Sequence, residues 1–488
     1  MTSSRLEKSL RVASTVALGA VPCVIFLYSF ETVFPFVVVK NVAFRLLVEL
    51  AVALELALAI VRGRVRPRVT ALPGAVLAFL LVLLAADSFG TDPYRSFFST
   101  FERMEGFVGL AHLGAYFFAL YAALDGEREG RRYLALCFGL AVLQGVWAVF
   151  QTREVGLLPS FRADARVSGT TGHPSFLAVH VAFLGFVGLF LAAGAKSRAG
   201  RLATQALSGF LFLVALLTGT RAVVLAVVVL GLFLFLRTTV FVEKRLSALS
   251  AASLVVLAIF AVVLVAESDV VSRDAPYLRG LKLTAEDDTA QARLAVWKIA
   301  GKGFLARPLL GWGQENFDQP FERFYDTRLL AVEPWFDRPH NVAFDWLLAG
   351  GIPALAAYLA LFVAAFVTLR RAVGRGFLAS SPALLLALAL VSHLVALSFG
   401  VASLETWIPL FALLAVIAAF GKSQASSAPS SAKTPRRLLA AAVLLVWPAA
   451  ASLHLPSLAQ SAALRRAMSV DAASGKDEAM ARWEEALR

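Results

Sequence analysis

Long apolar stretches and short polar connections alternate along nearly the whole chain, and the alternation breaks once, from Glu267 to Asn341. Read through a window of about 19 residues, the apolar stretches number about thirteen, at 12–30, 43–61, 71–86, 106–124, 132–150, 174–194, 202–218, 221–236, 247–266, 342–369, 381–400, 404–420 and 438–455. A helix needs roughly 20 apolar residues to cross a bilayer. Lipid offers no partner for a bare backbone group, so spans of this kind predict helices. The expected fold class is an all-α polytopic membrane protein with about 12–13 transmembrane helices and one large helical loop. The 71–86 and 221–236 stretches are short, which blurs their ends.

The polar interruption subdivides. Residues 267–288 read as irregular. Residues 289–305 have helical spacing, with Arg293 and Trp297 one turn apart on one face, and Pro308 ends that helix. Leu310-Gly-Trp-Gly-Gln-Glu-Asn-Phe317 is a glycine turn leading into a short amphipathic piece, 317–330. Trp335-Phe-Asp-Arg-Pro-His-Asn341 returns the chain to the next span. The predicted organisation is nine spans over 1–266, the loop over 267–341, three spans over 342–420, a Ser/Ala/Pro-rich linker over 421–437, a last span over 438–455 and a helical tail over 456–488. The end of the tail, 477–487, resembles the first helix of a tetratricopeptide repeat. Repeats need neighbours, so that reading implies a natural chain continuing beyond residue 488; the plainer reading is a frayed terminal helix.

Composition agrees with the pattern: the 488 residues are 59% hydrophobic and 16% charged, with mean hydropathy +0.74. The net charge of +13 changes the picture only through its placement. Arg5, Lys8 and Arg11, the run Arg62 to Arg68, Arg128 to Arg132, Lys196 to Arg201, Arg237 to Arg245, Arg370 to Arg375 and Lys422 to Arg437 occupy every second connection. This bias puts the N-terminus and residues 421–437 in the cytoplasm, and the 267–341 loop and the C-terminus on the outer, periplasmic side. The basic balance is topology, and it points to no nucleic-acid partner. The first stretch lacks a small-x-small cleavage site and reads as an uncleaved anchor. Cys23 and Cys137 both lie in apolar stretches, and the six His show no ligand spacing, so neither a disulfide nor a metal site is expected.

Lipid cannot host polar chemistry, so candidate residues are sought in the outer connections. His340 follows Pro339, opens a span, and has Asp337 and Arg338 close by; a neutral His there can act as a general base near neutral pH. Its plainer reading is an interfacial anchor. Arg221 stands in the break Leu217-Thr-Gly-Thr-Arg-Ala222 on the side that avoids positive charge, which favours function over snorkelling. Arg293 suits two-pronged phosphate contacts, though an amphipathic helix also shows arginine on its solvated face. Lesser signals are Phe98 to Gly106, with Glu102, Arg103 and Glu105; Arg166 to Ser175, with His173; and Lys40, Arg45 and Glu49, where Arg45 and Glu49 are an i,i+4 pair that can neutralise itself. His112, His180 and His393 lie within apolar stretches and read as core residues. The chain carries no nucleotide-loop, dinucleotide, nucleophile-elbow or zinc-protease motif in a fitting context.

Taken in order, Thr218-Gly-Thr-Arg221, Arg293-x-x-x-Trp297, Gly311-Trp-Gly-x-x-Asn-Phe317, Pro339-His-Asn341 and Gly350-Gly-Ile-Pro353 resemble the O-antigen ligase and O-antigen polymerase superfamily. Phe98 to Gly106 and Gly169 to Ser175 resemble its subgroup often followed by tetratricopeptide repeats. The resemblance spans about residues 90–420. It implies a bacterial inner-membrane, multi-pass enzyme of C-type glycosyltransferase fold. Such an enzyme moves a glycan from undecaprenyl diphosphate to an acceptor hydroxyl at the periplasmic face, with inversion and with neither metal nor cofactor. The acceptor is lipid A core in ligases, a growing glycan in polymerases and a protein in O-oligosaccharyltransferases. Carried over, His340 is the base, and Arg221, Arg293 and, by proximity, Arg338 hold the diphosphate. Trp297, Asn316, Asp337, Asn341, Arg103 and His173 support them; Arg307, Arg323 and Arg328 are further candidates for the diphosphate. A polysaccharide exporter or flippase is the competing class, disfavoured because the charges concentrate in one loop. An inert scaffold gives no reason for His340, Arg221 and Arg293 to occur together.

Overall fold

The computed structural model describes residues 2–63, 70–152, 166–221, 223, 288–420, 436–469 and 482–483. Its helices are α1 (Thr2–Ala20), running into a 3-10 turn Val21–Phe26, α2 (Val38–Arg62), α3 (Ala71–Ser88), the short α4 (Pro93–Phe98), α5 (Phe107–Ala123), α6 (Glu127–Thr152), α7 (Pro174–Ala193), α8 (Arg198–Leu217), α9 (Asp288–Ala306), α10 (Asp318–Arg323), a 3-10 turn Thr327–Ala331, α11 (Val342–Gly374), α12 (Ser380–Leu397), α13 (Leu404–Phe420), α14 (Arg436–Ser452) and α15 (Leu455–Met468). The fold is all-α. Among the described residues, eight helices are long and apolar enough to cross a membrane. Helices α5 and α13 are apolar but shorter, and α2 is long but carries Lys40, Arg45, Glu49 and Glu55. The apolar stretches at 221–236 and 247–266 lie outside the described residues apart from Arg221 and Val223, and every other one coincides with a helix. Residues 267–287, the linker over 421–435 and most of the tail beyond 469 lie outside them as well.

Helix α13 is apolar on every side and buried along its whole length, as befits a helix enclosed by others. It packs on α5, α6, α7 and α11, while α3 lies against α11, α12 against α7, and α1 and α14 against α2. One end of this bundle collects basic side chains. Arg11 pairs with Asp125 at 2.8 Å, Arg62 with Glu7 at 2.7 Å, and Arg131 lies over the Phe190 ring at 4.2 Å. At the other end Lys40 pairs with Glu405 at 2.5 Å and donates to the carbonyl of Thr170 at 2.6 Å, joining α2, α13 and the 166–173 connection in one buried contact. Two facing charges offset part of the cost of burying each.

Arg45 and Glu49 act on each other electrostatically but make no direct ion pair. Arg45 reaches the Met104 carbonyl at 3.0 Å, and Glu49 meets His112 and His454. The partners come from the connection before α5, from α5 itself and from the α14–α15 turn, which helical spacing within α2 cannot anticipate.

Helix α11 is broken at Gly350 (φ −148°) and Gly351 (φ +65°), followed by Pro353. Pro353 has no N–H to give Ala349, four residues earlier. Ile352 donates instead to Pro308 at 2.9 Å, leaving Leu348 and Ala349 with open carbonyls. The glycine turn fills them: Trp312 N–H donates to Leu348 at 2.6 Å and Gly313 N–H to Ala349 at 3.0 Å. Gly311 has φ +65°, and a Cβ there would lie 2.4 Å from the Leu348 oxygen, so only glycine fits. The two glycine motifs interlock and dock the loop onto the bundle.

Candidate functional site

The loop's own core is Val296 and Ile299 of α9 against Trp312, Phe317, Phe321 and Phe336. That core sets α9 beside the strand of chain entering α11. Trp297 donates its indole N–H to the carbonyl of Pro339 at 3.0 Å. Asn341 caps α11, its side chain accepting from Ala343 N at 2.9 Å and Phe344 N at 3.3 Å. His340 is thus held on both sides, half-buried, with its ring edge-on to Phe336 at 5.6 Å.

His340 Nδ1 lies 2.9 Å from the carbonyl of Arg338. A carbonyl only accepts, so Nδ1 carries the hydrogen and the neutral ring keeps its lone pair on Nε2. Burial pushes the His340 pKa below the ordinary histidine value, and the Arg293 and Arg103 charges push the same way against Asp337 and the Arg338 carbonyl. The ring is therefore neutral at neutral pH and Nε2 can take a proton.

Positive charge gathers on one side. Arg293 on α9 is half-buried, and its ionisation is weakened by burial and by Arg221, with Glu333 opposing. Arg221 in turn feels Arg166. Arg293, whose charge acts on His340, is thus followed by Arg221 of the Thr-Gly-Thr turn, which acts on Arg293, and by Arg166, which acts on Arg221. Arg166 belongs to a stretch singled out for His173, and nothing in that stretch marks the arginine itself.

Negative charge gathers on the other side. Arg338 is gripped by Glu315 and by Glu105, the latter at 2.9 Å, which hold its pKa above the ordinary value despite burial. Burial raises Glu105 to about 7, against Arg338 and Arg103. Asp337 is clamped by Arg103, which keeps its carboxyl below its usual range although burial works the other way. Glu105, Glu315, Asp337 and Arg338, with Asp345 and Trp346 of α11, line a pocket of about 60 Å³.

The predicted residues thus divide. His340, Arg293, Arg221, Trp297, Asp337, Arg103 and Asn341 come together. Arg338 also lies here, but its guanidinium is taken up by two carboxylates. Asn316 is buried, donating to Ser96 Oγ and the Trp312 carbonyl, both at 2.9 Å, and so holds the glycine turn. His173 caps α7 by accepting from Ser175 N at 3.2 Å. Of the other loop arginines, Arg307 lies over the Trp312 ring at 4.8 Å, Arg323 over Phe324 at 5.4 Å, and Arg328 pairs with Asp326 at 2.5 Å.

Backbone strain marks the same place. Among the described residues, the non-glycine residues with positive φ are Ser99, Met104, Glu315 and His340. Ser99 bonds Glu315 at 3.1 Å, and Met104 precedes Glu105. Such conformations persist only where surroundings enforce them, and they cluster at functional sites. Residues 206–359, which contain Arg221, Arg293 and His340, match a family model described as O-antigen ligase. No curated protein matches the chain.

Proposed function

We propose, for a chain whose residues 206–359 match the O-antigen ligase family, that it transfers a glycan from undecaprenyl diphosphate to the hydroxyl of lipid A core. The reaction takes place at the periplasmic face of the bacterial inner membrane. The family makes it a multi-pass, glycosyltransferase-type enzyme; the donor, the acceptor and the orientation are our reading. The observation that carries it is His340, with its hydrogen on Nδ1 and its base on Nε2, beside the Arg293–Arg221–Arg166 group.

In this mechanism the acceptor hydroxyl attacks the anomeric carbon while Nε2 of His340 takes its proton. The bond from the anomeric carbon to the diphosphate oxygen breaks with inversion. Arg293 and Arg221 bind the departing diphosphate, whose growing charge they stabilise without a metal. Arg166 adds charge to the same side. Arg338, fixed by Glu105 and Glu315, holds the backbone carbonyl that sets the His340 tautomer, and Arg103 fixes Asp337 beside it. Trp297 and Asn341 hold the His340 backbone.

The test is transfer by purified protein from lipid-diphosphate-linked glycan, with lipid A core, a free glycan and a protein offered as acceptors. Capping of lipid A core is the expected result. Chain growth on the glycan makes the enzyme a polymerase, and transfer only to protein makes it an O-oligosaccharyltransferase. Movement of intact donor across a vesicle membrane, with no transfer, replaces the reading with an exporter or flippase.

A further inference from the structure

Away from the candidate active site, three residues far apart in sequence converge: Glu49 of α2, His112 of α5 and His454 in the α14–α15 turn. Glu49 Oε1 lies 3.2 Å from His112 Nε2 and 2.7 Å from His454 Nε2, and the three ligand atoms all lie within 4.8 Å of one another.

The hydrogen count at this point is informative. His112 Nδ1 is 2.7 Å from the carbonyl of Val108. That oxygen only accepts, so the Nδ1 hydrogen is committed there. The neutral ring then aims its Nε2 lone pair at a carboxylate oxygen, which also only accepts. That contact is repulsive unless a second proton makes His112 an imidazolium or a metal ion takes up both lone pairs. Glu49 Oε2, moreover, is buried and makes no hydrogen bond.

We infer that Glu49, His112 and His454 form a zinc site that staples the C-terminal helix pair to the bundle. Tetrahedral zinc with bonds of 2.0–2.1 Å separates its ligand atoms by about 3.3 Å; the His112–Glu49 spacing of 3.2 Å already matches, and His454, at 2.7 Å from Glu49, would move outward by about half an ångström. The Val108 carbonyl is the kind of outer partner that orients a metal-bound imidazole. The competing account is a single extra proton, with His454 and an imidazolium at His112 both donating to Oε1; it leaves Oε2 without a partner, and zinc retention separates the two.

The staple also has a mechanical reason. Helix α14 leaves Leu438, Leu439, Leu445 and Val446 exposed. Besides packing along α2, it is tied by the Trp447 indole, which donates to the Leu46 carbonyl at 3.1 Å. The metal would fix its far end.

The full chain, purified in detergent with ZnCl2 and then dialysed against metal-free buffer, tests this by metal analysis and thermal unfolding. About one zinc per chain is expected in the wild type, and under about one tenth of that in His454→Ala and His112→Ala. Zinc should raise the unfolding midpoint of the wild type but not of His454→Ala, and MgCl2 should do neither. Glu49→Gln, which keeps the side-chain shape, replaces His112→Ala if that variant does not fold. Zinc retention no higher in the wild type than in His454→Ala, or a midpoint indifferent to zinc, overturns the site. His340→Ala should keep its zinc, so failure of the catalytic reading and failure of this one are separately visible.

Discussion

The indole N–H of Trp297 donates to the carbonyl of Pro339 over 3.0 Å, so α9 holds the backbone immediately before His340. His340 itself has φ +56°, a conformation its neighbours must enforce. Trp297→Phe keeps the ring and loses that bond, worth about 1 kcal/mol. The transfer rate should fall about fivefold with little change in donor KM. An unchanged rate would mean that the bond does not position His340.

His340→Ala should lower turnover by about 10²–10⁴ while leaving lipid-linked donor bound, because a general base acts mainly in the transition state. Donor binding and transfer measured on the same folded preparation decide it. Near wild-type transfer would remove His340 from the chemistry.

The pH profile follows from the same residue. His340 ionises below the ordinary histidine value, mainly through burial and further through Arg293 and Arg103. The active form is the neutral ring, so activity should rise with pH through that lowered pKa and be flat by neutral pH. Arg293→Gln removes a charge that opposes the imidazolium, so the acid limb should move to higher pH. Arg293→Lys should leave the limb nearly in place but weaken donor binding, since lysine lacks the two-pronged contact.

Glu105 predicts a pH effect on stability. Burial raises its folded pKa to about 7 from 4.5. Its contribution is therefore fully present below the unfolded value and is lost as pH rises through about 7. Glu105→Gln should flatten the fall in unfolding midpoint between about pH 5 and pH 8. A wild type and variant with parallel curves would contradict the assignment.

Gly311→Ala should cost about 2 kcal/mol or more, because an added Cβ meets the Leu348 oxygen at a left-handed φ. Pro353→Ala restores an N–H that competes with Gly313 for the Ala349 carbonyl, and should loosen the loop without a clash. Unfolding midpoints and protease sensitivity of the loop measure both.

Much of this was legible in the sequence for a physical reason. Lipid forces helices, and helices of bilayer length announce themselves as apolar stretches, so the order of elements follows from hydropathy. His340 and Arg293 were legible because polar residues at a span boundary or on a loop helix have few structural excuses. The engagement of Arg338 was not, because Glu105 and Glu315 reach it from far-off segments and proximity in sequence to His340 says nothing of them. Asn316 looked like site chemistry and holds a turn, since the same amide serves either purpose. The meeting of Glu49, His112 and His454 depends on how α2, α5 and α14 pack, and spacing along one chain carries no trace of it.

The break in α11 has a mechanical consequence. The segment ahead of it, Val342 to Ala349, is splinted to residues 308–313 instead of continuing its own helix, and the run behind it exposes Ile352, Leu359, Val363 and Val367. If a change in bilayer thickness tilts the rear run, Gly350–Gly351 is the joint at which the rotation can be absorbed. The contacts that fix the imidazole, from Trp297 and Asn341, all lie ahead of that joint, so its alignment with Arg293 is set within the loop.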